Sequence, residues 1–564
     1  MCSVDRAERG GKARACNGGC PRIVGIVWLA LHAAAVPPPC AAADGRIVVR
    51  VVDGDGKVTP ARAWVDAAEQ RLFNPVDPDT ATPYARDRSF SCDGTFTIGV
   101  PAGKAVVHVE KGKEFFPVDV EVEVAAGEEV EKTIRIERWI DMPERGWYSA
   151  DLHVHLGYDD PRILRQLALA DDVNLVPSFT YWLRGRGETW SAKWPDETFV
   201  EPIVIDDRHV VTRNNIEVER INRDAAPGAT VGATFLFNLN QPVTASRYGE
   251  HFPTDTELCC AARQHSPASV FDSDKPSWAE TVVGAALGAL DTVQVCHNHY
   301  HRSSTIPGGW GMIGPLAAGE SNAAVGNGLF HRTNALYYRF LNCGFRLGVS
   351  GGSAIGVMPV PAGYHRVYAR IEGPFNADKM WAAIKAGRTF ATTGPMLTLT
   401  ADDEGIGSAI AIDSAHARPV RIHASVQSID ALQSLDIVHD GHVLASRDLL
   451  REALDPFIDA DLEADLTPRR SGWIASRVLY RAPDGLLRQA HTSPIYISVD
   501  GKPAASAEDA RYMLRWIDRL VEIAESQPER FPDADVRNAV LSTYAEARAG
   551  YEHIIEIAER HWGD

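Results

Sequence analysis

Two histidine clusters in this 564-residue chain have spacings suited to metal chemistry. The first is Ser149-Ala-Asp151-Leu-His153-Val-His155. In an extended segment residues two apart point to the same side. Asp151, His153 and His155 therefore share one face, and Leu152 and Val154 pack behind it. Two imidazoles so placed can chelate one divalent ion, and a neighbouring carboxylate can orient a ring by accepting its other N–H. The second cluster, Cys296-His297-Asn-His299-Tyr-His301-Arg302, directly follows the apolar run Thr292-Val-Gln-Val-Cys296. A third candidate is Asn214-Asn-Ile-Glu217-Val-Glu219-Arg220, where Glu217 and Glu219 share a face and either can bridge cations.

The elements that must position these groups fall into blocks. Residues 1–43 carry Arg6, Arg9, Lys12, Arg14 and Arg22 against Asp5 and Glu8, then the apolar run Ile23–Val36, then Pro37-Pro-Pro-Cys-Ala-Ala-Ala43. Basic, apolar and small residues in that order read as a cleaved secretory signal, so the mature chain is expected to start near Asp44 and to be secreted or periplasmic. Residues 44–139 read as short strands, among them Ile47–Val52, Thr95–Val100, Ala105–Val109 and Val118–Val124, the last alternating apolar and acidic residues. Gly and Pro punctuation between such strands predicts a β-sandwich, which weakly resembles the carboxypeptidase-regulatory-like sandwiches. Residues 140–395 alternate helices and strands: helical spacing over Pro161–Ala170 and Ser277–Leu290, extended runs at Asn174–Phe179, His209–Val211, Ile216–Glu219 and Thr292–Cys296. That alternation suits an α/β barrel. Strands return over 396–503, a second sandwich, and 504–564 read as a helical pair. Val540, Tyr544, Ala547, Tyr551, Ile554 and Ala558 recur at steps of three and four, an apolar helix face.

Composition narrows the class. Hydrophobic residues make up 45% and charged residues 23%, enough for packed cores. The net charge of −18 gives no cationic footprint for nucleic acid. No apolar run reaches the roughly 20 residues of a membrane-spanning helix. Outside 1–43 the cysteines are Cys92, Cys259, Cys260, Cys296 and Cys343, an irregular set that reads as buried thiols. There is no phosphate-binding glycine loop, nucleophile elbow or dinucleotide fingerprint.

Gly146-Trp-Tyr-Ser-Ala-Asp151-Leu-His-Val-His155, Asn298-His-Tyr-His-Arg302, Leu341–Arg346, Gly363–Tyr368 and Lys385–Pro395 together resemble the polymerase-and-histidinol-phosphatase (PHP) metallohydrolase superfamily, and within it the carbaryl-hydrolase-like branch (CehA/McbA type). The resemblance implies a distorted (β/α)7 barrel over roughly 140–400, flanked here by the two sandwiches, with a metal centre at the strand C-termini. It implies His153, His155, Glu217 and His299 as metal ligands, with His297 and Glu219 as the alternatives at their positions. Three family positions differ: Thr180-Tyr-Trp182, Lys275-Pro276 and Gly352-Ser-Ala-Ile-Gly356 stand where ligand motifs are usual. One or two ions, Zn, Mn or Fe, are therefore expected rather than three.

The expected function is a secreted hydrolase of a small-molecule ester, carbamate or amide, in which a metal-activated water attacks. Lys275 or Arg302 would stabilise developing negative charge, and His301 or Tyr300 would assist proton transfer. A metal-dependent phosphoesterase is the first alternative. The second is a non-catalytic metal- or ligand-binding surface protein on the same barrel.

Overall fold

The computed structural model describes residues 44–563 apart from 69, 73, 77–80, 85–86, 157–159, 185–199, 221–230, 244, 246–247, 250, 301–326, 451–456 and 482–486. The expected signal segment and the candidates His301 and Arg302 lie outside the described residues. The architecture is mixed α/β, with many strands in large sheets and seven α-helices among the described residues. No helix among them is long and apolar enough to cross a membrane.

The alternation read near the N-terminus becomes two sheets. Gly45–Val52 lies between Thr95–Val100 (antiparallel) and Glu129–Arg135 (parallel). A six-stranded sheet is built around Ala61–Ala67, Gly103–Glu110 and Val118–Val124. Ile47, Val49, Phe96 and Ile98 from the first sheet and Val65, Phe90, Val107 and Val109 from the second share one apolar core. This layer is tied to residues further along the chain by buried charge. Arg62 donates to Asp171 (3.0 Å), Lys111 to the Leu169 carbonyl (2.6 Å), and Arg138 to Asp172 (2.8 Å).

The candidate site belongs to a sixteen-stranded sheet. Its path runs Gly348–Gly351, Thr292–Cys296, Val270–Ser273, Gly232–Phe237, Val210–Arg220, Leu175–Arg184, Trp147–Ala150 and Arg366–Arg370, then continues through Thr389–Thr392 into the strands of residues 434–492. Pairing is parallel except on both sides of Gly232–Phe237 and beyond Trp147–Ala150. Past Ala150 the chain stays extended and bonds on both sides. Phe179 N donates to Val154 O (2.9 Å), while Leu152 N donates to Gly351 O (3.0 Å) and Ile355 N to His153 O (3.2 Å).

Helices follow local signals. Thr254 caps Asp255–His265 in a reciprocal box with Glu257, and Asp533 caps Ala534–Trp562. The apolar face expected on that last helix is its buried face, residue for residue. The helix expected over Ser277–Leu290 is only Thr281–Ala286. Residues 276–280 form turns and a bend instead, with Trp278 Nε1 donating to Asp274 and Arg220 donating to Glu280. Cys92, Cys259, Cys296 and Cys343 are buried thiols, and Cys260 is exposed.

His209, just before Val210–Arg220, makes a pH-sensitive joint. Its Nδ1 lies 2.8 Å from Asp206 and its Nε2 3.3 Å from Asp172. Burial opposes its charge, but the two carboxylates outweigh burial and lift it to about 9. A histidine raised above its unfolded value stabilises fully below about pH 6.5, and loses that contribution as pH rises through 9. His209→Gln is expected to cost up to about 3 kcal/mol at pH 6 and much less at pH 10. Denaturant midpoints of both proteins at the two pH values check this; an equal gap at both would contradict it.

Candidate metal centre

The pleat places His153 and His155 as their spacing requires. Leu152 and Val154 are fully buried on the opposite side, and the two imidazoles meet with their Nε2 atoms 2.9 Å apart. Glu217 comes from Val210–Arg220, two strands away in the sheet, with Leu175–Arg184 between. One of its oxygens lies 3.2 Å from His155 Nε2, the other 3.9 Å from His153 Nε2. One ligand atom from each of the three residues lies within 4.8 Å of the others, the only such group of His, Cys, Asp or Glu among the described residues. Glu219 is buried on the same strand but is not in the group.

The donor set fits a divalent cation. Two imidazoles and one carboxylate are a common ligand set for catalytic zinc. At 2.9 Å the two Nε2 atoms make an N–H···N hydrogen bond when one is protonated, and both present lone pairs to a cation beside them when neither is. Burial holds the His153 pKa below its ordinary value, which keeps the ring neutral, as ligation demands. Phe235 and Phe179 press on the rings, with centroids 4.5 and 5.7 Å from His153 and Phe179 5.3 Å from His155. These apolar walls fix rotamers and exclude water.

Asp151 does not orient a ring. Its oxygens accept backbone N–H groups from His153 (3.1 Å), Ser353 (2.8 Å) and Gly363 (2.7 Å), while burial pushes its carboxyl up to about 6. It pins the histidine strand to the 353–363 loop. The carboxylate that faces the Nδ1 edge of His153 is Asp274, whose Oδ1 is 3.4 Å away. Sequence reading missed it. The available signal was Phe271-Asp272-Ser273-Asp274, two acids on one face at the end of a buried strand.

Beneath the site, Asp272 accepts from Thr292 Oγ1 (2.6 Å), Gln294 Nε2 (2.8 Å) and Ser350 Oγ (2.5 Å). Burial raises its pKa to about 7. Gln294 also donates to Leu152 O (3.3 Å), so this polar floor supports the histidine strand. Gly352 closes the approach from the side. A Cβ there would stand 2.5 Å from His153 Cβ and 3.0 Å from Gln294 Nε2.

His297 and His299, from the second histidine cluster, are not in the triad. His299 is buried but outside the 4.8 Å group, its ring edge-on to Trp278 at 6.4 Å. Its backbone N–H donates to His297 Nδ1 (3.3 Å), and His297 Nε2 lies 3.1 Å from Thr333 Oγ1. Burial holds the His297 pKa well down. His365, another residue missed in the sequence, meets the Tyr300 carbonyl at 2.5 Å. Lys275 is buried, ion-paired with Asp274, and its ammonium is 4.9 Å from the Trp278 ring centroid. The structure thus brings together His153, His155 and Glu217, and sets Lys275 one carboxylate away.

No protein-family profile matches the chain, and no curated protein matches it.

Proposed function

We propose that this protein is a metal-dependent hydrolase acting on a neutral ester, carbamate or amide, with one divalent ion held by His153, His155 and Glu217. The observation that carries the reading is the convergence of two imidazoles and one carboxylate, remote in sequence, inside 4.8 Å. The proposed scaffold is a distorted seven-stranded α/β barrel running from Trp147–Ala150 to Gly348–Gly351. The bonds Leu152 N to Gly351 O and Ile355 N to His153 O support closure of that row of strands. Site residues then gather near or beyond strand C-termini, the end where barrel enzymes work: His153 and His155 after Ala150, Glu217 towards the end of Val210–Arg220, Asp274 after Ser273.

When bound, the ion supplies Lewis acidity, polarising a carbonyl and lowering the pKa of a water. Phe179 and Phe235 wall the ligand imidazoles on their apolar side and leave the Nε2 edges facing inward. Lys275, buried beside Asp274, contributes fixed positive charge for an oxyanion developing nearby. Acyl chemistry is favoured over phosphomonoester chemistry on charge. A net −18 repels dianions at long range, and one ion held by a single three-residue group would neutralise less of a phosphate than several ions would. For the N-terminal 43 residues, outside the described residues, we propose export and cleavage on the order of basic, apolar and small residues alone.

The test is a chelator-stripped preparation reconstituted with Zn2+, Mn2+ or Fe2+ and assayed on aryl esters, aryl carbamates and phosphomonoesters. Activity is expected to vanish on stripping, to return with metal, and to be greatest on the esters or carbamates. Phosphomonoester turnover exceeding both by about tenfold would transfer the assignment to phosphoesters. Stoichiometric metal binding with no turnover would leave a binding protein.

A further inference from the structure

We propose that Asp274 is the positioning residue of the metal centre, holding the His153 ring so that its proton sits on Nδ1 and its Nε2 lone pair faces the ion. The inference rests on the metal reading and goes beyond it, because neither the histidine spacing nor the three-residue group contains Asp274. His153 Nδ1 is buried, with no partner at hydrogen-bond geometry among the described residues. The carboxylate oxygen facing it, Asp274 Oδ1, is buried too and equally without a bond of that quality, at 3.4 Å. A closing of about 0.5 Å makes this a normal N–H···O bond. Nδ1 and Nε2 lie on different edges of the ring, so Asp274 stands behind His153 as a second layer while Glu217 approaches Nε2.

Asp274 is itself held. Its other oxygen, Oδ2, accepts from Trp278 Nε1 at 3.0 Å and from the Lys275 ammonium. Trp278 is wedged against Gly232, where a Cβ would come within 2.3 Å of the indole. The carboxylate is thus clamped on one oxygen and aimed with the other. Lys275 gains a role by the same geometry. Its ammonium secures the carboxylate that faces His153. Without Asp274, a tautomer with hydrogen on Nε2 would put a proton where the ion should sit. Outer-layer partners of ligating histidines typically contribute 10–100-fold to metal affinity.

The experiment compares wild type, Lys275→Met, Asp274→Asn, the double variant Asp274→Asn/Lys275→Met, and Trp278→Phe. Zn2+ affinity is read by competition with a chromophoric chelator, and the thermal midpoint is read on the same samples. Asp274→Asn alone strands a buried ammonium and is expected to lower the midpoint. The double variant removes both charges, so it is expected to keep a near wild-type midpoint yet bind Zn2+ about 10–100-fold more weakly. Trp278→Phe keeps the ring packing and deletes only the indole N–H, and about a threefold to tenfold loss is expected. Lys275→Met is expected to weaken binding less than the double variant does. Zn2+ affinity of the double variant within about threefold of wild type overturns the proposal. If the double variant does not fold, unchanged affinity in Trp278→Phe overturns it instead. A wild-type protein that binds no Zn2+, Mn2+ or Fe2+ would overturn the metal reading itself, a different and separately visible failure.

Discussion

His153→Ala is expected to yield a folded protein that retains essentially no metal after dialysis. Two ligands then remain, and the loss of one of three should weaken binding by roughly a thousandfold, or about 4 kcal/mol. His155→Ala should behave alike, since its Nε2 lies 3.2 Å from Glu217 and 2.9 Å from His153. His442→Ala supplies the control, because that imidazole is exposed on His442–Asp448 and outside the triad. Metal content by elemental analysis, with midpoints on the same samples, separates ligand loss from unfolding. Equal metal in wild type, His153→Ala and His442→Ala would remove the site.

Arg220→Met is expected to be the most destabilising single change at a distance from the ligands. Arg220 is buried between Asp255 and Glu280, 3.0 Å from the latter, and also donates to the Pro253 carbonyl (2.5 Å). Thr234 Oγ1 donates to Asp255 (2.6 Å), and Tyr544, on the last helix, donates to Glu280 (3.1 Å). Methionine fills comparable volume but leaves two carboxylates in the core without their cation. Breaking such a buried set from one side costs about 3–5 kcal/mol. Burial already lifts Glu280 to about 7 with Arg220 present. Without the guanidinium Glu280 should protonate more readily still, so the deficit should be full at pH 8 and shrink towards pH 5. Urea midpoints at both pH values check the size and the sign. A loss below about 1 kcal/mol at pH 8 would mean that the network contributes little.

The legible part of this protein was its periodicity. The face Val540–Ala558 and the inward pair His153 and His155 follow from helical and pleated geometry that any context would impose. Less was legible where tertiary register decides. Glu217 and Glu219 share a strand face, and nothing local favours one. The register of Leu175–Arg184 against Val210–Arg220 sets Glu217 opposite Trp182 and Glu219 opposite Arg184, and only that cross-strand placement decides which glutamate lies near the histidines. Asp151 shows the limit of face-sharing: its side chain found three backbone donors within reach and took them instead of an imidazole. Asp274 was invisible for a related reason, since its relation to His153 exists only after distant strands align. The helix expected over Ser277–Leu290 is shorter, Thr281–Ala286, and the turns before it hold Trp278 and Glu280 in bonds with Asp274 and Arg220. His299 has the right residue type and strand-end placement, yet it lies beside Trp278 and outside the triad, a difference that spacing does not encode.

Gly352 gives a different kind of lesson. With no side chain it can neither bind an ion nor move a proton, yet the van der Waals surface of His153 occupies the space where its first carbon would be. Any substitution at 352 therefore reaches the imidazole as a displacement of its strand, and the damage would register as lost chemistry. In a mutational survey such a position is indistinguishable from a ligand. In a search for chemical groups it is silent. The vocabulary of this site thus includes a vacancy, and a designer transplanting the histidines and the glutamate to another scaffold would have to transplant that missing atom with them.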